Sequence, residues 1–142
     1  MHNRPVQLYF LCIQNRCRSQ IAQAFAKYYG GEYVIAESAG IEASTVHPYT
    51  VEVMKEIGID ISANQSKPIE MKYFMSSNAV VKLCEEVNER CPVVPFGIRK
   101  FQWNISDPLK YNPQLEDVRK TRDEIRDKVL ELLRGYQIPI QE

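Results

Sequence analysis

The sequence predicts an α/β fold, a single three-layer domain in which a four-stranded parallel sheet is covered by helices on both faces. Short runs of β-forming residues alternate with segments of helical period, and this succession implies right-handed crossovers and parallel pairing. The first such run, residues 6–11, is almost continuously apolar, which is typical of a strand buried on both faces. Because 142 residues is the length of one domain, we expect residues 1–142 to form it.

Local signals justify the elements in the first half of the chain. The strands are short runs of β-branched and aromatic residues, and each helix has apolar side chains at helical spacing with a glycine or proline at one end. In order, these elements are a strand at 6–11, a helix at 19–29 before Gly30, and a strand at 33–37 before Ser38-Ala39-Gly40. A helix at 48–57 follows, which begins at Pro48 and ends before Gly58.

The second half continues the same alternation after a polar loop. The elements are a loop at 59–68, a short helix at 71–75, strands at 79–83 and 100–104, and a last helix at 114–134. The apolar residues of the last helix share one face: Leu115, Val118, Ile125, Val129, Leu132 and Leu133. Its other side chains carry charges of mixed sign, which predicts a solvated face with i,i+4 ion pairs.

Composition excludes several classes of protein. The 18 basic and 18 acidic residues give a net charge of zero, which argues against a nucleic-acid partner. No apolar run approaches the roughly 20 residues that cross a membrane, and the apolar stretch at residues 6–13 is too short for a signal peptide. We therefore expect a cytoplasmic protein with no membrane partner, in which the four cysteines are working thiols and not disulfides that stabilise the fold.

The segment between the first strand and the first helix predicts an anion-binding site. Residues 12–19 read Cys-Ile-Gln-Asn-Arg-Cys-Arg-Ser, and a loop that curls there directs backbone N–H groups and the positive end of the helix dipole into one hollow. Arg18 can grip two oxygens of a tetrahedral anion. The same field, with the Ser19 hydroxyl, favours the thiolate of Cys12. Asn15 suits a left-handed position in the loop.

Further motifs follow this loop in order along the chain. They are Cys12-x-x-Asn15-x-Cys17-Arg18-Ser19-Gln20, Ser38-Ala39-Gly40, Gly58-Ile59-Asp60-Ile61-Ser62, Leu83-Cys84 with Cys91-Pro92, Trp103, and Ser106-Asp107-Pro108. With these motifs the chain resembles the thioredoxin-coupled arsenate reductases, which share the fold of low-molecular-weight protein tyrosine phosphatases. The resemblance covers almost the whole chain.

The resemblance implies a fold, a substrate and a set of site residues. It implies strand order 2-1-3-4, arsenate as substrate with phosphate or sulfate as analogues, and Asp107 as general acid. The oxyanion would bind to the loop formed by Cys12, Ile13, Gln14, Asn15, Arg16, Cys17 and Arg18. Thioredoxin would be the external reductant, and we expect a monomer with no bound cofactor or metal.

Three cysteines suit a redox relay. Reduction of arsenate takes two electrons, so Cys12 needs a second thiol with which to form a disulfide. Neighbouring strands lie about 4.8 Å apart, which places Cys12 and Cys84 side by side in the implied strand order. Cys91 would then attack Cys84 to give a Cys84–Cys91 disulfide. On an α-helix these two cysteines would be about 10.5 Å apart, whereas a disulfide needs Cα atoms roughly 4.4–6.8 Å apart, so we expect the segment to unwind.

The chain departs from the family pattern in two places. Gln14 and Arg16 stand where the family usually has small residues, which affects oxyanion affinity and selectivity. Some relatives bind potassium beside the loop asparagine through acidic side chains, and the corresponding residues here are Gln23 and Lys67. A lysine ammonium would repel that ion or replace it.

Other interpretations remain open at this stage. A phosphatase shares the chemistry of the Cys12 loop but leaves Cys84 and Cys91 unexplained, and a non-catalytic oxyanion-binding or redox-sensing module has no use for Asp107. Zinc would have only His2 and His47 besides widely spaced cysteines. The remaining polar and aromatic candidates have plain structural interpretations: His47 as a helix-entry residue, Cys17 as a packing thiol, Trp103 as core and Lys67 as a contact of the loop.

Overall fold

The computed structural model describes residues 4–141. Its strands are β1 (Val6–Cys12), β2 (Val34–Gly40), β3 (Ala79–Lys82) and β4 (Arg99–Gln102). Its α-helices are α1 (Arg18–Gly30), α2 (Pro48–Lys55), α3 (Met71–Ser76) and α4 (Leu115–Gly135). Short 3₁₀ helices occupy Gly31–Tyr33 and Glu85–Glu89.

The four strands form one parallel sheet in the order β2-β1-β3-β4, which confirms the predicted order. Strand β2 extends three residues beyond its predicted end. Ser38, Ala39 and Gly40, expected to close the strand, instead continue its pairing with the last residues of β1 up to Cys12. Pairing with a central strand outweighs the local turn preference of Ser-Ala-Gly.

The core lies on both sides of β1. Leu8 to Leu11 are at most 2% exposed, as the continuous apolar run predicts. Helix α1 packs against β1, β2 and α4, whereas α3 packs against β1. Trp103 is buried beside Phe10, as its assignment to the core predicts. Parallel pairing places the carboxyl ends of β1 and β3 side by side at one edge of the sheet.

The charged face of α4 differs from its prediction. Its described ion pairs along the helix have i,i+3 spacing, as between Arg119 and Glu116, or i,i+1 spacing, and not the predicted i,i+4 spacing. Arg119 and the buried Arg122 also reach across to Glu56, directly after α2. The physical reason is the packing of α2 against α4, which brings a distant carboxylate within reach.

Within residues 4–141, no helix combines the length and apolar character that a membrane span requires.

Candidate active site

The loop that follows β1 turns sharply at the edge of the sheet. Cys12 is the last residue of β1, and α1 begins at Arg18. Asn15 has φ of 51°, the left-handed conformation that the sequence predicts there and that asparagine adopts more readily than most residues. Gly40, at the end of β2, lies directly beneath this turn. A Cβ atom at Gly40 would stand 2.8 Å from the backbone nitrogen of Asn15 and from the carbonyl oxygen of Ile13.

Asn15 connects the loop to the Cys12 sulfur through Ser19. The Asn15 Oδ1 accepts hydrogen bonds from the Lys67 backbone N–H and from Gln20 Nε2, both at 3.0 Å. Its Nδ2 therefore faces Ser19 and donates to Oγ at 2.7 Å. Because Ser19 Oγ already accepts there, its own proton is free for Cys12 Sγ, 2.8 Å away. A hydroxyl that donates to sulfur stabilises the thiolate.

Two guanidinium groups flank one carboxylate at the mouth of the loop. Arg18 Nη1 donates to the carbonyl of Ile105 at 2.7 Å, which fixes the side chain, and Nη2 lies 3.9 Å from Asp107 Oδ2. Arg16 Nη2 lies 3.5 Å from the same oxygen. The opposite oxygen of Asp107 accepts from the backbone N–H of Leu109 at 2.9 Å, which orients the carboxylate toward the arginines.

These side chains enclose a cavity of about 170 Å³. Its lining consists of Cys12, Ile13, Gln14, Arg16, Cys17, Arg18, Glu86, Asp107 and Lys110. Asn15, predicted with the other loop residues, does not line the cavity and is fully buried behind it. Glu86 and Lys110 were missed by sequence reasoning. The available signal was their position in the connections after β3 and β4, which gives no direction for a side chain.

A larger cleft of about 1030 Å³ adjoins this cavity. The two share Arg18, Glu86, Asp107 and Lys110, and the cleft also borders Cys84. The arrangement is suited to binding a small tetrahedral anion beside a nucleophilic sulfur, with a second thiol nearby.

Cys12 ends β1 and Cys84 follows the neighbouring strand β3, as the implied strand order predicts. Leu11 pairs with Lys82, and the backbone N–H of Leu83 donates to the carbonyl of Leu11 at 2.9 Å. Both cysteines are 3% exposed, and both are free thiols. Burial raises the pKa of Cys84; the positive charge of Arg18 opposes this shift and the neighbouring Cys12 adds to it.

The segment between Cys84 and Cys91 is not an α-helix. Glu85–Glu89 forms a 3₁₀ helix, and the backbone N–H of Cys91 donates to the carbonyl of Val87 at 2.8 Å. The α-helical separation considered above therefore does not apply. Pro92 disfavours the α-conformation of Cys91, so an α-helix would not continue through that residue. Cys91 is half-buried, more exposed than Cys84.

Cys17 and His47 have the structural roles predicted for them. Cys17 is 2% exposed, and burial raises its pKa to about 12, so it remains a neutral packing thiol. His47 caps the start of α2, where its Nδ1 accepts a hydrogen bond from the Tyr49 backbone N–H at 3.0 Å. Partial burial and the nearby charge of Arg16 lower the pKa of His47.

The residues beside Asn15 do not fit a potassium ion. Gln23 Oε1 accepts a hydrogen bond from the Ser38 hydroxyl, and the Lys67 ammonium pairs with Glu37. Lys67 contacts the loop as predicted, but through its backbone N–H and not through its charged group. Neither Gln23 nor Lys67 supplies a carboxylate, and the Asn15 oxygen already accepts from two donors.

No group of three or more His, Cys, Asp or Glu side chains able to hold a metal ion occurs in residues 4–141. His2, one of the two histidines considered for zinc, lies outside these residues.

Comparison with known proteins agrees with this geometry. Residues 7–139 match the family model of the low molecular weight phosphotyrosine protein phosphatases. The chain belongs to this family. Among its curated relatives, arsenate reductase 2 of Staphylococcus saprophyticus is 39% identical over 86% of this chain and 92% of its own.

Solved structures that are similar to this chain include arsenate reductases. One is an arsenate reductase in the phosphate-binding state, with a TM-score of 0.78 and 32% identity over 92% of this chain and 98% of that chain. Another is a thioredoxin-dependent arsenate reductase of Corynebacterium glutamicum, with a TM-score of 0.78 and 30% identity over 96% of this chain and 64% of that chain. The similarity thus covers both the family fold and its arsenate reductase branch.

Proposed function

We propose that this protein reduces arsenate to arsenite through a relay of Cys12, Cys84 and Cys91, and that thioredoxin regenerates it. The observation that carries the proposal is the pairing of Cys12, whose sulfur lies 2.8 Å from the Ser19 hydroxyl in an anion-sized cavity, with a second buried thiol, Cys84, just after the adjacent strand. Relatives named arsenate reductases support the substrate. The enzyme acts as a cytoplasmic monomer of one domain, without a bound cofactor.

In the first step, the Cys12 thiolate attacks the arsenic atom of arsenate. The loop amides and Arg18 hold the oxyanion, and Arg18 is itself fixed by its hydrogen bond to Ile105. Asp107 protonates the departing oxygen, which leaves as water. Arg16 adds a second guanidinium at the mouth of the loop, where it pairs with the Asp107 carboxylate before arsenate binds.

In the second step, Cys84 attacks the Cys12 sulfur and arsenite leaves. The adjacency of β1 and β3 supports this order, because Cys84 then needs only a short movement. Cys91 next attacks Cys84, which frees Cys12 and moves the disulfide to a more exposed position. The greater exposure of Cys91 supports access by thioredoxin. A thioredoxin-dependent relative supports the same reductant.

A coupled assay tests the proposal. Arsenate-dependent oxidation of NADPH is measured with thioredoxin and thioredoxin reductase, beside hydrolysis of an aryl phosphate. We expect turnover in the wild type, loss of both activities in Cys12→Ser, and loss of reduction alone in Cys84→Ser and Cys91→Ser. Equal loss of hydrolysis in a folded Cys84→Ser variant would show that Cys84 is structural.

Phosphatase activity is the second candidate, and family membership favours it. The Cys12 loop and Asp107 would serve phosphate-ester hydrolysis equally well, since phosphate and arsenate are nearly the same shape. Hydrolysis without any arsenate-dependent NADPH oxidation would establish this alternative. Absence of both activities, with phosphate still bound, would favour a non-catalytic oxyanion-binding or redox-sensing module.

A further inference from the structure

Gln20 is a buried polar side chain that lies outside the cavity of Cys12. It belongs to α1 and is 1% exposed. Its Nε2 donates hydrogen bonds to Asn15 Oδ1 at 3.0 Å and to the backbone carbonyl of Gln65 at 3.2 Å. Its Oε1 accepts a hydrogen bond from Asn64 Nδ2 at 3.1 Å. One amide therefore joins the Asn15 side chain to the segment that follows α2.

The Gln20 amide affects both donors that hold the Asn15 side chain. Asn15 Oδ1 accepts from Gln20 Nε2 and from the Lys67 backbone N–H, each at 3.0 Å. Gln20 supplies the first bond itself. Its bonds with Asn64 and Gln65 hold the residues three and two positions before Lys67, whose N–H supplies the second bond. Loss of the Gln20 amide therefore weakens both constraints on Asn15.

The orientation of the Asn15 amide decides where the Ser19 proton goes. Because Oδ1 is held by two donors, Asn15 Nδ2 points at Ser19 Oγ, 2.7 Å away, and donates to it. Ser19 Oγ then directs its own proton at Cys12 Sγ, 2.8 Å away. If the Asn15 amide turned over, its oxygen would face Ser19 and draw that proton away from the sulfur. The four side chains thus form one buried chain of hydrogen bonds that ends at Cys12.

We propose that Gln20 is a positioning residue for the Cys12 nucleophile, and that it stabilises the thiolate through Asn15 and Ser19. This inference rests on the part of the proposed function that makes Cys12 the nucleophile. Gln20 does not line the cavity, so it acts without contact with the anion.

Gln23 provides a matched comparison on the same helix. It lies about one turn after Gln20, is 5% exposed, and its Oε1 accepts a hydrogen bond from the Ser38 hydroxyl. The described hydrogen bond of Gln23 therefore leads to β2 and not to Asn15. Substitution by methionine removes a buried amide at either position and keeps a side chain of similar length.

The test measures the rate at which iodoacetamide alkylates Cys12 in the reduced protein between pH 4 and pH 9, with the modified peptide quantified by mass spectrometry. We expect Gln20→Met to raise the pH midpoint of this rate by about 0.7 unit, a fivefold loss of thiolate below the midpoint, which is the effect of about one hydrogen bond. Gln23→Met keeps the wild-type midpoint. All variants retain the charged and titratable groups that line the cavity with Cys12 or lie beside it: Arg16, Cys17, Arg18, Cys84, Glu86, Asp107 and Lys110.

A double-mutant comparison separates positioning from a general loosening of the loop. Since Gln20 acts on Cys12 through Ser19, Gln20→Met should not move the midpoint further in a Ser19→Ala background. A shift of the same size in both backgrounds would overturn the proposal, as would an unchanged midpoint in Gln20→Met alone.

A milder variant keeps the proposal testable if Gln20→Met does not fold. Asn64→Ala, at a half-buried position, removes the donor to Gln20 Oε1 and should raise the Cys12 midpoint by a smaller amount. A midpoint equal to that of the wild type would then overturn the positioning role. Alkylation requires no arsenate, so a wild type that forms no disulfide with arsenate would contradict the proposed reduction without deciding the role of Gln20.

Discussion

The shape of the loop at residues 12–18 depends on two residues, Asn15 and Gly40, that do not line its cavity. Asn15 sets the left-handed turn and directs its amide at Ser19, which in turn reaches Cys12. Gly40 leaves room for the turn, since the atoms nearest to a Cβ there belong to the backbone of the loop. A flexible side chain could move aside, but backbone atoms held by a strand and a helix cannot.

We predict that Gly40→Ala lowers both stability and phosphate affinity. The added methyl group would stand 2.8 Å from backbone atoms of Asn15 and Ile13, which forces the loop outward at a cost of about 1–3 kcal/mol in the free energy of unfolding. Gly135→Ala is the control, because a Cβ there meets nothing within 4 Å. Urea denaturation and phosphate calorimetry measure the two effects. Equal behaviour of the two variants would contradict the steric role of Gly40.

The segment from residue 84 to residue 97 is the element that we expect to rearrange if the proposed relay proceeds. The five-residue 3₁₀ helix Glu85–Glu89 spans about 8 Å along its axis, at roughly 2.0 Å per residue, and Cys84 and Cys91 flank it. A disulfide requires their Cα atoms at roughly 4.4–6.8 Å. We therefore expect formation of the bond to unwind this helix.

We predict faster hydrogen exchange in residues 84–97 once the Cys84–Cys91 disulfide has formed. The amides of Arg90 and Cys91, which donate to the Val87 carbonyl in the reduced protein, lose that protection. The loop at residues 12–19 keeps its protection because Cys12 is a free thiol again. Reduced protein is compared with protein oxidised by one equivalent of arsenate. Identical exchange in both forms, with the disulfide confirmed by mass spectrometry, would mean that no unwinding occurs.

The contact between α2 and α4 includes a carboxylate that responds to pH. Glu56 accepts hydrogen bonds from Arg119 and Arg122, and the pKa of Glu56 is lowered, first by the hydrogen bonds from Arg119. A depressed pKa in the folded state contributes stability above the unfolded value of about 4.3, and this contribution is lost as pH falls through the folded value.

We predict that Glu56→Gln has a lower Tm than the wild type at pH 7 and that the difference shrinks as pH falls to about 3. Glu124→Gln, at an exposed position of α4, is the control and changes Tm little at any pH. Thermal unfolding between pH 3 and pH 7 provides the measurement. A difference that grows on acidification would contradict the ion-pair explanation.

Across the whole molecule, the sequence predicts the structural features that depend on a local pattern of residues. The apolar run at 6–11 and the sequence Cys12-x5-Arg18 specify a strand, a turn and a helix start, because each signal lies within a few residues. The place of Glu86 in the cavity and the reach of Arg122 to Glu56 depend on distances between separate elements, which no local pattern contains. The 3₁₀ helix after Cys84 escaped prediction because five residues carry no distinguishable period.

Potassium should not affect this protein. Gln23 and Lys67 provide no carboxylate, and the Lys67 ammonium already neutralises Glu37 beside them. Exchange of potassium chloride for a large organic-cation chloride at constant ionic strength should leave Tm and turnover unchanged. A potassium-specific rise of several degrees in Tm would contradict this expectation.

In the proposed mechanism, Cys12, Cys84 and Cys91 reduce arsenate in a fixed order. Disulfide mapping by mass spectrometry after one equivalent of arsenate, with free thiols alkylated at low pH, tests it most directly. The relay predicts a Cys84–Cys91 disulfide and a free Cys12 in the wild type, one arsenite released per disulfide, and a trapped Cys12–Cys84 disulfide in Cys91→Ser. Release of arsenite while Cys84 and Cys91 both remain free thiols, and are therefore alkylated, would contradict it. A disulfide to Cys17 would also contradict it.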